Sequence, residues 1–218
     1  MNAGYRDYRY NAPGPGNENV GRELGERFVR LVRQIGGIKD ICDLGCGNGY
    51  LASRLGASGY RVLGIDASES GLEIAGRYYA METVQFLHAE IGADLGRLLP
   101  DGRRFDAVVS SDVVEHLYRP AVLVEAAAAL LNPGGYLIVG TPYHGYAKNL
   151  AISVLNKWDA HHGVHWDGGH IKFFSVRTLR NLVLAHGFQE VGFHCFGRLP
   201  WLWRHMICVA RKPSDRSG

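Results

Sequence analysis

Ile41-Cys42-Asp43-Leu44-Gly45-Cys46-Gly47-Asn48-Gly49-Tyr50 and, ten residues on, Tyr60-Arg61-Val62-Leu63-Gly64-Ile65-Asp66 decide how this chain folds. An apolar run ends in three alternating glycines, a short helical interval follows, and a second apolar run ends in a carboxylate. That is the layout of a β-α-β nucleotide-binding unit. The glycines permit a tight turn and let a ligand lie against bare backbone, where side chains would collide. Asp66, about 20 residues beyond the first glycine, sits where a carboxylate accepts hydrogen bonds from two ribose hydroxyls. A nucleoside ligand is expected.

The glycine spacing narrows the ligand further. A dinucleotide fingerprint has its third glycine where the helix packs closely on the strand, with the pyrophosphate at the helix N-terminus. Here that place is Tyr50, the glycines fall at 45, 47 and 49, and no basic residue lies nearby to meet phosphates. This argues against a nicotinamide oxidoreductase. Asp43-Leu44-Gly45-Cys46-Gly47-Asn48-Gly49 resembles motif I of the class I S-adenosylmethionine (SAM) dependent methyltransferases, whose ligand has ribose and adenine but no phosphate. Val84 to Ile91 is similar to that family's third strand. Phe105 to Leu117, with its Glu115-His116 pair, resembles the fourth strand and turn of the ubiquinone-type O-methyltransferase branch. Leu131 to Pro142 resembles the turn and fifth strand. The likeness runs from about residue 38 to 211.

The resemblance implies SAM as cofactor, S-adenosylhomocysteine as product, and a small-molecule methyl acceptor, an aromatic or quinone-like one being in keeping with the branch. It assigns Asp43, Gly45, Cys46 and Gly47 in the first turn to the cofactor, together with Asp66, Ala67, Glu90, Ile91, Ser111 and Asp112 at later strand ends. Asp66 would hold the ribose diol and Glu90 the adenine amino group, between apolar walls from Ala67 and Ile91. The alternatives are a helix N-cap for Asp66 and a surface carboxylate for Glu90.

Composition agrees with one globular α/β domain over residues 1–218: 46% of residues are hydrophobic and 21% charged. The formal net charge of +3 is scattered, which makes nucleic acid an unlikely partner and an RNA methyltransferase the lesser alternative. Cys42, Cys46, Cys195 and Cys208 lack metal-ligand spacing and read as reduced core thiols. The polar first residues lack the apolar core of a secretory signal, and no apolar run is long enough to cross a bilayer, so a cytoplasmic protein is expected.

Residues 1–37 read as a tail and a covering helix, with Val20, Leu24, Phe28, Leu31, Val32 and Ile35 at helical spacing. Strands are expected near 39–44, 61–65, 84–88, 105–111 and 135–141, and helices near 49–57, 69–80 and between Pro120 and Asn132. The whole is a Rossmann-like α/β fold with helices on both faces of a mostly parallel sheet. By the resemblance the sheet has seven strands, the last two forming an antiparallel C-terminal hairpin near 188–196 and 206–211. Residues 143–170 read as a lid or acceptor-binding insertion.

For the chemistry, methyl transfer from a sulfonium needs alignment in a dry site and, for a hydroxyl acceptor, a base. His116, directly after the fourth strand, is the first candidate, followed by His144, His165 and His170. Asp112, Glu115, His116 and a later histidine also resemble a metal-binding segment of a small RNA 3′-end methyltransferase family. Because the segment around His170 resembles metal-free quinone methyltransferases as well, no metal is expected. Tyr5, Tyr8, Tyr10, Trp158, Trp166, Trp201 and Trp203 are candidates to stack on the acceptor or to cover the core. Ile152, Val154, Leu155 and Trp158 share a face that could rest on a membrane. A SAM-binding protein without catalytic activity is the remaining alternative.

Overall fold

A computed structural model describes residues 9–15, 18–92, 94–162 and 169–214. Helix α1 (Glu18–Ile35) is followed by β1 (Asp40–Leu44), α2 (Tyr50–Gly56), β2 (Arg61–Asp66), α3 (Glu69–Tyr78) and β3 (Val84–His88). Then come β4 (Phe105–Ser111), α4 (Ala121–Leu130), β5 (Leu131–Pro142), α5 (Tyr146–Val154), α6 (Trp158–His162), α7 (Val176–Ala185), β6 (Gln189–Phe196) and β7 (His205–Arg211). The strands form one seven-stranded sheet in the order β3-β2-β1-β4-β5-β7-β6. β1 to β5 are parallel, and β7 runs antiparallel between β5 and the edge strand β6.

Both faces are covered, which is why the strands read as continuous apolar runs. Along β1, Ile41 joins Leu24 and Phe28 of α1 and Leu51 and Leu55 of α2 on one face. Its neighbours Cys42 and Leu44 join Leu123 and Leu130 of α4 and Leu179 and Val183 of α7 on the other. Successive side chains of a strand point to opposite faces, so a single strand feeds both cores. Each fully buried leucine among them contributes roughly 1.5–3 kcal/mol.

Two local expectations need correction. The fifth strand begins at Leu131, not near 135, because Leu131 still pairs with Phe105 before the register jumps to Ala107 against Tyr136. Asn132-Pro133-Gly134 bulges out of the strand there rather than standing between elements. The segment from 143 is also not bare loop. In its described part Tyr143, Lys148 and Ile152 are buried, while α5 leaves Tyr146, Leu150 and Val154 exposed, as is Leu155 just after it. Residues 163–168, including His165 and Trp166, lie outside the described residues, as do Tyr5 and Tyr8. Among the described residues no helix is long and apolar enough to cross a membrane. Cys42, Cys46 and Cys208 are buried free thiols and Cys195 is half-buried.

Candidate functional site

The sheet order reverses between β1 and β4, and in open α/β sheets a ligand crevice opens at the strand ends beside such a switch point. The first turn is built for close approach. Gly45 and Cys46 donate their backbone N–H groups to Ile65 O at 2.8 and 3.1 Å. Gly45 sits at φ 80°, and a Cβ there would lie 2.5 Å from Val113. Asp66 closes the turn from beneath: Oδ2 accepts from Gly47 N and Oδ1 from Ser68 N, both at 2.7 Å. The N-cap of α3 is Ser68, whose hydroxyl accepts from Gly71 N, so Asp66 is not the cap. Burial pushes the Asp66 carboxyl up while these N–H donors pull it down.

A strap from the N-terminal segment lies over the same turn. Tyr10 N donates to Ser70 Oγ at 3.1 Å, and the Tyr10 ring covers Gly47 and Gly71 so closely that neither has room for a side chain. Asn48 Nδ2 donates to Ala12 O and Gly14 O at 3.0 and 2.8 Å and ties the strap down. Local spacing carried no sign of this, beyond Tyr10 as a stacking candidate.

A cavity of about 570 Å³ opens beside the turn; its lining includes Asp43, Gly45, Cys46, Gly47, Ser111, Asp112, His116 and His170, with Tyr10 and His205. Asp66 lies sealed below the turn, Ala67 and Ile91 are half-buried, Glu90 is exposed, and none of these four borders the cavity. The wall fits a phosphate-free nucleoside with a cationic amino-acid tail. It contains no lysine or arginine among the described residues, and Asp43 Oδ2 is buried without a hydrogen-bond partner. Burial and the neighbouring Asp66 push the Asp43 carboxyl up to about 8, against an N–H from Ala52. An α-ammonium such as that of SAM's methionyl part would satisfy that oxygen.

The far side of the cavity carries the candidate catalytic groups. Glu115 is fully buried in the turn Val114–His116. Its Oε2 accepts from Thr141 Oγ1 at 2.9 Å, and burial together with Asp112 holds its carboxyl well above the usual range. Its backbone oxygen accepts from Ile171 N and Lys172 N, both at 3.0 Å, so the segment after the insertion is pinned to the turn. His116 Nδ1 lies 3.2 Å from Gly169 O. A carbonyl only accepts, so Nδ1 is the donor in this bond. The His170 ring meets His116 edge-on at 4.9 Å, and burial with His116 lowers its pKa to about 4, so it is neutral near pH 7.

One ligand atom each from Glu115, His116 and His170 falls within 4.8 Å of the others, a carboxylate and two imidazoles able to hold a divalent ion. His205 is a residue that sequence reasoning missed; its Nε2 donates to Asp112 Oδ1 at 3.1 Å. His144 stands apart. It lines a second cavity of about 340 Å³ with Lys148 and Arg198, and burial lowers its pKa to about 3. Trp203 packs edge-on against Tyr143, whereas Trp158 and Trp201 are exposed.

Residues 17–191 match a family described as "Methyltransferase domain". The ubiquinone biosynthesis O-methyltransferase of Roseobacter denitrificans is 31% identical over 174 residues, covering 75% of this chain and 66% of that protein. Its namesake in Ruegeria pomeroyi is 31% identical over 190 residues, covering 82% and 71%. The chain spans between 53% and 66% of the first four curated relatives it matches. Among solved structures, a SAM-dependent methyltransferase from Anabaena variabilis has a TM-score of 0.70 at 18% identity, covering 92% of this chain and 88% of that one. The N-methyltransferase NodS of Bradyrhizobium japonicum, solved with S-adenosylhomocysteine, has a TM-score of 0.65 at 16% identity, covering 91% and 90%. These two show the shared fold.

Proposed function

The chain belongs to the class I SAM-dependent methyltransferases, and from that premise we propose that it transfers the methyl group of SAM to an oxygen of a small aromatic or quinol-like molecule. The observation that carries the acceptor half is His116. Its ring lines the same cavity as the glycine turn, and its Nδ1 bond to Gly169 O holds the ring by one nitrogen and makes Nε2 the other. In the proposed reaction Nε2 takes the acceptor's hydroxyl proton as the oxygen–methyl bond forms. The sulfur–methyl bond breaks at the same time, and its electron pair returns to the sulfonium, giving neutral S-adenosylhomocysteine. Asp43 would bind the methionyl ammonium, and the buried walls would keep water from competing for the methyl group. The names of the curated relatives support oxygen as the acceptor atom.

The test is release of S-adenosylhomocysteine from SAM across a panel of catechols, quinols and phenols. His116→Gln should lower turnover by about 10²–10⁴-fold with cofactor affinity unchanged. Turnover with RNA alone would favour the RNA methyltransferase alternative. Cofactor binding without turnover on any acceptor would favour a binding protein. Of the face expected to meet a membrane, Ile152 is buried in the fold instead, but the exposed Val154, Leu155 and Trp158, with Leu150, support peripheral contact with a membrane holding a lipid-soluble acceptor. Failure to float with liposomes would remove that part.

The three-donor cluster favours a second reading. Glu115, whose Oε1 has no hydrogen bond and lies 4.0 Å from His170 Nε2, could hold a divalent ion together with His116 and His170. Such an ion would lower the pKa of an acceptor hydroxyl.

A further inference from the structure

Beside the cofactor cavity, and sharing Pro142, His170 and His205 with it, lies the 340 Å³ cavity that also takes in Lys148, Arg198 and Arg204. A third cavity of about 390 Å³ continues from it past Lys148 and Arg198 toward the apolar side chains of Ile152, Leu155 and Leu202. No carboxylate lines either of these two cavities among the described residues.

Lys148 is only 7% exposed, and its Nζ donates to Tyr143 O at 2.7 Å. No ion pair to Lys148 or Arg198 occurs among the described residues. Burial lowers His144 to about 3 and His161 to about 4, so these two are neutral near pH 7. Burial and Arg198 together pull Lys148 down to about 8. Arg198 is held in the turn between β6 and β7 at φ 52°. A buried lysine is ordinarily paired with an anion. Lys148 and Arg198 line one void together with Arg204, with no acidic side chain on its walls among the described residues, and so form a receptor that an anion completes with charge-assisted hydrogen bonds.

We infer that this cavity receives a carboxylate or phosphate group of the methyl acceptor, seated on Lys148 and Arg198, while the acceptor's reacting oxygen reaches His116 through the shared wall. The inference rests on the methyltransferase reading of the adjoining cavity and deepens it: the acceptor is an acid with an apolar body. Ile152, Leu155 and Leu202 would border that body.

Calorimetric titration of the full chain, with and without S-adenosylhomocysteine, would use 3,4-dihydroxybenzoate and phenyl phosphate as probes, with 3,4-dihydroxybenzamide as the neutral counterpart. An anionic probe should bind about tenfold or more tightly than the amide, the effect of one hydrogen bond to a charged group. Lys148→Met and Arg198→Gln should each erase that preference and leave S-adenosylhomocysteine affinity as it was. Equal binding of acid and amide, a preference surviving both substitutions, or no binding of either anion would overturn the inference. So would Arg198-dependent sedimentation with phosphatidylglycerol vesicles in the absence of probe binding, which would assign the cations to a membrane headgroup. A wild-type chain that ignores S-adenosylhomocysteine would sink the methyltransferase reading instead, because anion preference is also read on the unloaded protein.

Discussion

Asp112 Oδ1 lies 3.1 Å from His205 Nε2, and this contact fastens the residue that follows β4 to the first residue of β7 across 93 positions of sequence. Asp112 takes the left-handed region at φ 53°, which aspartate tolerates better than most residues, and its N–H donates to Gly140 O at 3.0 Å. His205 pairs with Pro142 in the sheet and stacks on Phe196. His205, with Pro142 and His170, lines both the cofactor cavity and the basic cavity beside it, whereas Asp112 lines only the first. Because Asp112 is 39% exposed, the pair itself contributes little stability, less than about 1 kcal/mol. His205→Leu should therefore leave the melting temperature nearly unchanged, yet raise KM for the acceptor several-fold by loosening Asp112. Steady-state kinetics beside a thermal melt checks both halves.

Cofactor affinity should depend on pH through Asp43. With its carboxyl raised from 3.8 to about 8, the ligand-free protein holds a proton there at pH 7. A methionyl ammonium needs the carboxylate, so binding expels that proton. S-adenosylhomocysteine should bind more tightly as pH rises from about 6 toward 8, by up to about tenfold per pH unit. Calorimetry in buffers of different ionisation enthalpy should register the released proton, and Asp43→Asn should flatten the dependence. In the free protein the same shift gives stability that is complete below about pH 3.8 and is lost as pH climbs through about 8.

Gly45→Ala should abolish measurable cofactor binding and destabilise the fold by about 1–3 kcal/mol. Its left-handed φ and the 2.5 Å approach to Val113 leave the new methyl group nowhere to go. Tyr10→Ala should do the opposite to the fold, changing stability little while speeding cofactor release. Stopped-flow displacement would detect that, and an unaltered off-rate would show that the strap covers no ligand.

Metal content separates the two readings of the catalytic cluster. If His116 acts alone as base, dialysis against EDTA leaves turnover intact. If Glu115, His116 and His170 hold an ion, chelation abolishes turnover, readdition restores it, and elemental analysis finds about one ion per chain.

Lys148 offers a stability counterpart. Its folded pKa is depressed from 10.5 to about 8, so the unfolded chain binds the proton more strongly and stability rises with pH across that window. Lys148→Met should melt at the same temperature as the wild type or higher at pH 7 while losing acid binding. Anion affinity of the wild type should fade above about pH 8 as the ammonium is lost.

Much of the cofactor half was legible because it is local. Gly45 and Gly47 sit at spacings dictated by one turn, and Asp43, Ser111 and Asp112 stand at or beside the ends of strands whose apolar runs announce themselves. Asp66, Ala67, Glu90 and Ile91 show the limit of that reasoning: they stand at or just after the ends of β2 and β3 as expected, yet none of the four borders the cavity. The basic cavity was not legible. His205, Lys148 and Arg198 come from three separate segments, and none carries a motif.

By itself the sequence determined the glycine turn, the alternation of strands and helices, and the family, because backbone sterics and side-chain periodicity act over a few residues and leave their mark in spacing. Only the tertiary structure decided that β7 inserts antiparallel between β5 and β6, that Tyr10 folds over Gly47, and that Lys148, Arg198 and Arg204 line one void with no acid among the described residues. Those outcomes depend on which distant surfaces bury one another, and a contact between residues far apart in the chain has no spacing by which to be read.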